Sequence, residues 1–535
     1  KIGIETPLDL LKIRLLSKNH FYFLLKYRIK ILFAAIFRLN FIRKFIYNEK
    51  NANKLIISAI KQKGFKKAEF HFIDHHLCHA ASAFYSSPFK DSLVITQDGK
   101  GDESSGSLYV GENNHLKKIY TQKSNDSIGQ IYAEVTRFLG FKPNRHEGKI
   151  TGLAAYGTGE RYLKFFKNLV NNTYPTIKRS NLKNKIIQSY KSINLSHVIG
   201  ALSNHPSNLN YELNALRLQT WMNKNLNKNN REDIAFAVQK SVEDWTVEMC
   251  KNYISEFKMN LKNKEYNICL AGGLFANVKI NQKIKEISGV KNIYIHPAMG
   301  DCGLSLGSAQ YYYYSKNKQE PHSYINHSYL GPSYSKDEIL KLLEKTKNIE
   351  WQYIDNIEKK IAILLAKGSV IGRFSGKTEW GPRALGNRSI LIQATDSNIN
   401  NIMNKRLNRS EFMPFAPSVL DFRAKDYFIN YKDDDCAADF MTITYDVFPE
   451  KVNEIQAVVH IDNTARPQVV KKTANNSFYK ILENYNEISG IGCLVNTSFN
   501  LHEEPIVNSP KDAVLGLKSG ALDYLAIENY IVKNV

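Results

Sequence analysis

The sequence predicts an α/β protein made of two successive strand–helix domains, and three observations carry that prediction. Its 535 residues exceed what one ordinary core organises, so more than one domain is expected. From Ala68 onward, short apolar runs ending in polar, Gly-rich loops alternate with stretches of helical periodicity. The alternation then restarts with its own loops after the polar stretch SKNKQEPHSYINH, which places a boundary at residue 328 and the domains at 1–327 and 328–535. A composition of 43% hydrophobic and 23% charged residues fits a globular chain and excludes a disordered or membrane-embedded one.

In chain order, residues 1–67 read as helical. The most basic segment lies here, and its uncharged apolar run between Lys30 and Arg38 is far short of the ~20 residues of a membrane span. An amphipathic helical pair is expected, with weak contact to a membrane surface as the further option. Strands follow in AEFHFIDHH, SLVITQDGKGD, SLYVGEN, NICLAGG and NIYIHPAMGDCG, and a long helix in REDIAFAVQKSVEDWTVEMCKNYISEF. Residues 160–230, rich in Asn, Lys and Ser, read as a variable insertion. The second series opens at YLGPSYSKDEILKLLEK and carries the loops GRFSGKTEWGPRALGNRSI and LVNTSFN.

The formal charge of +22 comes from lysines spread along the whole chain, so no nucleic-acid partner is expected from it. Six cysteines stand singly with no C-x-x-C pair, which points to a reducing cytoplasm and away from a disulfide scaffold or zinc ribbon.

His75 and His79 are four positions apart, so on a helix they project from one face. Cys78 and Ser82 would lie beside them, with Leu77, Ala80, Ala81 and Phe84 on the buried side and His76 turned away. Two imidazoles alone do not make a metal site. Asp98 ends one strand and Asp301 follows another, and open α/β sheets gather ligands at the carboxyl ends of their strands. Two His and two Asp suit a borderline or harder divalent ion such as iron, manganese or zinc. Three loops are built for anions: DGKGDESSG, AGGLFANVKIN, and GDCGLSLGSA at the start of a helix. In the second domain Arg373, Lys377, Arg383 and Arg388 crowd one Gly-containing stretch, and guanidinium groups suit phosphate or carboxylate. Lys405, His460, Arg466, Asn496, Ser498 and Asn500 follow in NKRLNRSEFMPFAPSVL, VVHIDNTARPQVV and LVNTSFN.

DHHLCHAASAFYSSPF, DGKGD, SIGQIYAEVTRFLGF, EGKITGLAAYG, LAGGLFANVKIN and HPAMGDCGLSLGSA, followed by GPRALGNRSI, MPFAPSVL and NTSFN, resemble the NodU/CmcH-type O-carbamoyltransferases, which include the nodulation-factor, cephamycin and tobramycin enzymes. The resemblance covers nearly all of residues 68–535. It implies an actin- and sugar-kinase-like first domain and a YrdC-like second domain. It implies that His75, His79, Asp98 and Asp301 ligate a divalent metal, iron foremost. It also implies that Gly99, Gly101, Asp102, Gly272, Gly273 and Asn277 hold nucleotide. In the second domain Arg373, Arg383, Arg388, Lys405 and Arg466, with Lys377 nearby, are the expected phosphate-binding set. Asn496 and Ser498 are expected to orient an adenylate, with Asn500 among the cofactor-binding residues, and Arg383 and Arg388 are also expected to be catalytic. The implied substrates are carbamoyl phosphate, ATP and a hydroxyl-bearing, sugar-containing acceptor.

The chain departs from that pattern in two places. No H-D-x-S-A-like or E-R-x-x-R-like segment precedes IETPLDLLKIRLLS, so the first hairpin and part of the clefts are expected to be missing. Glu503 stands where Gly is usual before EPIV. The alternatives to a working O-carbamoyltransferase are a tRNA threonylcarbamoyl-type transferase and a truncated, non-catalytic binding protein.

Overall fold

A computed structural model describes residues 49–173, 218–258, 265–317, 319–407, 415–501 and 504–535. The helical reading of residues 1–48, the opening hairpin, residues 174–217 of the insertion and the Glu503 position lie outside the described residues. Two compact units divide the chain. One takes residues 1–72 and 185–214, and its described part contains the helix α1 (Glu49–Gln62). The other, residues 73–184 and 215–535, holds both sheets.

Its first sheet has the order β3-β2-β1-β4-β5, formed by β1 (Asp91–Gly101), β2 (Ser104–Glu112), β3 (His115–Lys123), β4 (Tyr266–Ala271) and β5 (Val290–Ile295). β1 to β3 form an antiparallel meander, and β4 and β5 continue it parallel to β1. Two-residue periodicity divides the side chains between two buried faces. Val94, Tyr109, Cys269 and Tyr294 pack with Ala80 and Phe84 of α2 (His75–Ser86). Leu93, Ile95, Ile268 and Leu270 belong to the larger core, with Ile131 of α3 (Ile128–Phe138), Ile150 of α4 (Glu147–Ala154), Phe166 of α5 (Glu160–Thr173) and Val238 of α6 (Arg231–Lys258). After β4 comes α7 (Val278–Lys285), and after β5 comes α8 (Leu304–Lys316), which lies along α2.

The second sheet is built from β6 (Ile349–Tyr353), β7 (Ile371–Phe374), β8 (Arg388–Gln393), β9 (Ala416–Leu420), β12 (Gln468–Val470), β13 (Cys493–Ser498), β14 (Tyr524–Ile527) and β15 (Tyr530–Asn534). Its order is β12-β9-β13-β8-β7-β14-β15-β6, with the short pair β10 (Tyr445–Asp446) and β11 (Thr464–Ala465) beside it. α9 (Lys336–Lys345) starts with a Ser335–Glu338 capping box. α10 (Ile357–Ala366) precedes β7, and α11 (Ile399–Arg406) follows β8. One face of the sheet is covered by α10 and α12 (Asn476–Ser489), through Ile361, Leu365, Phe478, Ile481 and Leu482. Ala513, Val514 and Leu517 of α13 (Pro510–Lys518) join the core on the other. The expected boundary at residue 328 falls between the two sheets, and the chain crosses it without leaving the compact unit.

Three local expectations change. AEFHFIDHH is no strand, because residues 68–74 are coil and a helix begins at His75. Asp74 takes the Leu77 N–H and Asp102 the His75 N–H, so two carboxylates cap a helix where a strand was expected. β3 went unnoticed, although the turn at Asn113 and Asn114, both in the left-handed region, returns the chain along β2. α2 is also buried on nearly all sides: His76 and Ser82 are inaccessible, while Leu77 is only half-buried.

The two sheets are joined by polar contacts as well as by the core. Asn281 Nδ2 donates to the carbonyls of Phe275 and Thr442, both at 2.7 Å. Thr444 donates to Gln282 at 2.8 Å, and Lys285 pairs with Asp435. No helix among the described residues is long and apolar enough to cross a membrane.

Asn281 gives the cleanest test of this junction. Asn281→Ala leaves two buried carbonyls without their donor and is expected to lower stability by about 2 kcal/mol. Denaturant unfolding measures it, and an unchanged midpoint would show that the junction bears no load.

Candidate functional site

The four expected ligands meet at the carboxyl end of the first sheet. His75 and His79 come from the first turns of α2, Asp98 from β1, and Asp301 from the turn after β5. One ligand atom from each lies within 4.8 Å of all the others. Both imidazole Nε2 atoms face one carboxylate oxygen, Asp98 Oδ2, at 3.3 Å from His75 and 3.2 Å from His79. Asp301 Oδ1 stands 3.7 Å from each of the same nitrogens. Two nitrogens and two carboxylate oxygens converging in this way fit a divalent ion of intermediate hardness.

The electrostatics follow from the burial. Burial works against the charged form of Asp98, but the bonds from His75 and His79 outweigh it and hold the carboxyl well below the usual carboxylate range. Burial likewise opposes a charge on His79, and Asp301 and Asp98 raise its pKa above the ordinary value. His76 belongs to a different environment: burial pulls it down to about 4, and its Nδ1 meets Thr96 Oγ1 at 3.0 Å. A neutral His76 therefore ties α2 to the middle of β1.

The glycine loops surround this cluster, and part of their polarity is used inside the protein. The Gly99 N–H donates to Asp98 Oδ1 at 2.6 Å, and the Gly272 N–H donates to the Met299 carbonyl at 2.7 Å. Asp102 caps the amide of His75 at 2.9 Å. Gly101 is needed for close approach, because a Cβ there would lie 2.2 Å from the His75 ring. Gly273 lies beside Asp98, where a Cβ would stand 3.0 Å from its Oδ1. Asn277 caps α7 through the Ile280 N–H and donates to Gln239.

In the second lobe the basic residues separate into two groups. Arg373 is inaccessible and donates to the Gly386 carbonyl, Asn387 Oδ1 and Ser477 Oγ. Arg388 is fully enclosed, donates to the carbonyls of Ser375, Gly376 and Asn387, and lies 3.7 Å over the Phe374 ring. Arg373 holds the GPRALGNR loop through Gly386 and Asn387, and Arg388 ties its end to Ser375 and Gly376, while the Arg388 Nε has no hydrogen-bond partner among the described residues. Arg383 and Arg466 are half-buried, and neither has a hydrogen-bond or ion-pair partner among the described residues. Burial holds Arg383 down to about 10; burial and the neighbouring Arg383 charge hold Arg466 well below its ordinary value. Lys377 and Lys405 are exposed. Asn496 bonds Ser418 and Gln468 inside the sheet, and Ser498 bonds Asn500.

A cavity of about 320 Å³ lies between the two lobes. Thr151, Phe236, Gln239 and Lys279 line its first-lobe side, and Phe415, His460, Asp462 and Arg466 line the other. His460 Nδ1 stands 3.2 Å from Asp462, which also pairs with Lys279 at 2.8 Å.

Sequence reasoning missed Glu379. Its Oε1 accepts the backbone N–H groups of Leu385, Asn387 and Arg388 at 2.9, 2.7 and 3.1 Å, holding the arginine loop from within. An acidic residue amid four basic ones was the available signal. Thr96 and the Asp462–Lys279 pair were also missed, because nothing local to either marks its distant partner.

The described architecture is mixed α/β. Residues 33–310 match the family described as Carbamoyltransferase N-terminus, and residues 362–534 match Carbamoyltransferase C-terminus. An uncharacterized protein of Methanocaldococcus jannaschii is 34% identical over 97% of this chain and 83% of its own. The nodulation protein NolNO of Sinorhizobium fredii is 31% identical over 86% of this chain and 64% of its own. Among solved structures, a crystal structure of full-length HypF covers 35% of this chain and 23% of its own at 19% identity, with a TM-score of 0.26. The chain belongs to the carbamoyltransferase family, of the NodU type, and is a transferase that takes a carbamoyl donor and an acceptor.

Proposed function

We propose that the chain is an ATP-dependent O-carbamoyltransferase working in two stages. In the second lobe, carbamoyl phosphate, ATP and water give carbamoyl-adenylate, phosphate and pyrophosphate. In the first lobe, a hydroxyl of a sugar-containing acceptor takes the carbamoyl group, leaving AMP and a proton. The observation that carries this reading is the Arg383–Arg466 pair. Two half-buried guanidinium groups, the charge of Arg383 acting on Arg466 and neither having a carboxylate partner among the described residues, repel each other until a polyanion joins them. Carbamoyl phosphate and ATP are both polyanions. Arg373, Arg388 and Glu379 keep the loop that presents Arg383 in place.

The five-stranded sheet, three antiparallel strands continued by two parallel ones, supports an actin- and sugar-kinase-like first lobe; a YrdC-like second lobe belongs to the same reading. There His75, His79, Asp98 and Asp301 would hold a divalent metal, iron foremost, with nucleotide at the Gly99–Asp102 and Gly272–Asn277 loops. When bound, the ion would supply Lewis acidity toward the carbamoyl carbonyl. The protein's own part is to fix the ligands. His76 through Thr96, and Asp102 through the His75 amide, anchor the helix that carries both imidazoles. The cavity between the lobes, with Arg466 in its wall, would take part in the passage of a labile adenylate from the first stage toward the second.

Carbamoyl-phosphate-dependent release of pyrophosphate from ATP tests the first stage on the whole chain. Arg466→Ala and Arg383→Ala are each expected to lower kcat/KM for that release by about 100-fold or more. No such release from the wild-type chain would sink the adenylation reading. The second stage is tested by metal content: His79→Ala, and the less buried His75→Ala, are each expected to abolish retention of a divalent ion through dialysis. Retention equal to wild type in both would remove the metal assignment.

A further inference from the structure

Asp301 is the least supported of the four ligands. Its side chain is 75% exposed, against 17% for Asp98, and it stands farther from both imidazoles than Asp98 does. Its position depends on residues 296–303, the turn between β5 and α8. That turn is fixed at its base by the first lobe, where the His296 N–H meets the Leu270 carbonyl and the Met299 carbonyl takes the Gly272 N–H. Within it, the Ala298 N–H donates to His296 Nδ1 at 3.1 Å, which leaves the imidazole proton on Nε2. His296 is completely buried, and its Nε2 has no hydrogen-bond partner among the described residues.

The other support comes from the second lobe. The Trp380 ring meets the His296 ring edge-to-face, with centroids 5.2 Å apart and planes at 77°. Trp380 is held in turn by its own N–H on the Ser328 carbonyl at 2.6 Å. Gly381 follows with φ +124°, so close to the turn that a Cβ would lie 2.8 Å from the Pro297 carbonyl oxygen. Arg383 stands two residues beyond Gly381.

We propose that Trp380 is a positioning residue for the first-lobe metal centre: from the second lobe it presses on His296 and sets the turn that presents Asp301. This rests on the metal reading of the first lobe given above. It adds that the ion's affinity is governed across the lobe boundary, by the same loop that presents Arg383. The loop that faces the polyanion and the ligand that completes the metal centre then share one rigid contact.

The test is the affinity of the full chain for ferrous iron, measured anaerobically by competition with a chelator. Trp380→Ala is expected to weaken binding by about 10- to 100-fold, the size of loss that follows when a group orienting a ligand is removed. Trp380→Phe keeps an aromatic edge against His296 and is expected to recover most of it. Gly381→Ala, which pushes on the Pro297 carbonyl from the same loop, is expected to weaken binding as well and serves if the Trp380→Ala chain does not fold. A purely structural role would lower the melting temperature of the Trp380 variants at unchanged affinity, and that result overturns the proposal. A wild-type chain that binds no ferrous iron overturns the metal reading together with it, so the two failures are distinguishable.

Discussion

The first lobe is organised around one carboxylate oxygen, Asp98 Oδ2, which stands between two imidazole nitrogens at the end of a buried strand. Burying a carboxylate is costly unless cationic or hydrogen-bonding partners surround it. Here the partners are two histidines on successive turns of one helix, so the strand's end and the helix's start must remain in fixed register. Much of the local sequence serves that register. Asp74 and Asp102 terminate the helix at its first residue, Gly101 leaves room for the His75 ring, and His76 reaches back to Thr96. A chain that lost any of these would keep the sheet but misplace the two imidazoles and the carboxylate between them.

The second lobe solves the opposite problem, that of keeping positive charge uncompensated. Arginines are easily enclosed when their donors find carbonyl oxygens, and Arg373 and Arg388 are enclosed in that way. Glu379 binds three amides of the same loop beside them, so the loop is held from within. Against that background Arg383 and Arg466 stand out, for neither has a protein partner among the described residues. Preorganised charge of this kind favours a polyanion because the loop does not reorganise when one arrives. The distinction between a fastening arginine and a presenting one exists only in three dimensions.

That distinction marks the limit of what the sequence made legible. The alternation of apolar runs and Gly-rich loops announced the α/β architecture, and the i, i+4 histidines with two strand-end aspartates identified a cluster that the fold does assemble. The alternation and the i, i+4 spacing of the histidines are local periodicity, which a sequence displays directly; that the two distant aspartates join them is what the family resemblance implied. The roles of the four clustered basic residues were not legible, because Arg373, Lys377, Arg383 and Arg388 share one composition and differ only in burial and partners. The reading of residues 68–74 as a strand failed for a related reason. Apolar alternation favoured extension, but the competing carboxylate cap at Asp102 lies 27 residues from the amide it binds.

The junction between the lobes joins these separate solutions. The residues that connect them, Asn281 with Thr442, Gln282 with Thr444 and Lys285 with Asp435, make directional polar contacts. Apolar packing alone tolerates sliding between surfaces, whereas hydrogen bonds to a buried amide fix a relative position. In the proposed reaction an adenylate made at Arg383 and Arg466 must reach the cluster at Asp98 without meeting bulk water. A fixed junction suits that need better than a hinge, since each opening would admit water to an intermediate that hydrolyses. A rigid junction also explains why a contact as small as one tryptophan edge against one buried histidine can matter, because in a stiff interface a displacement at one lobe is transmitted to the other rather than absorbed.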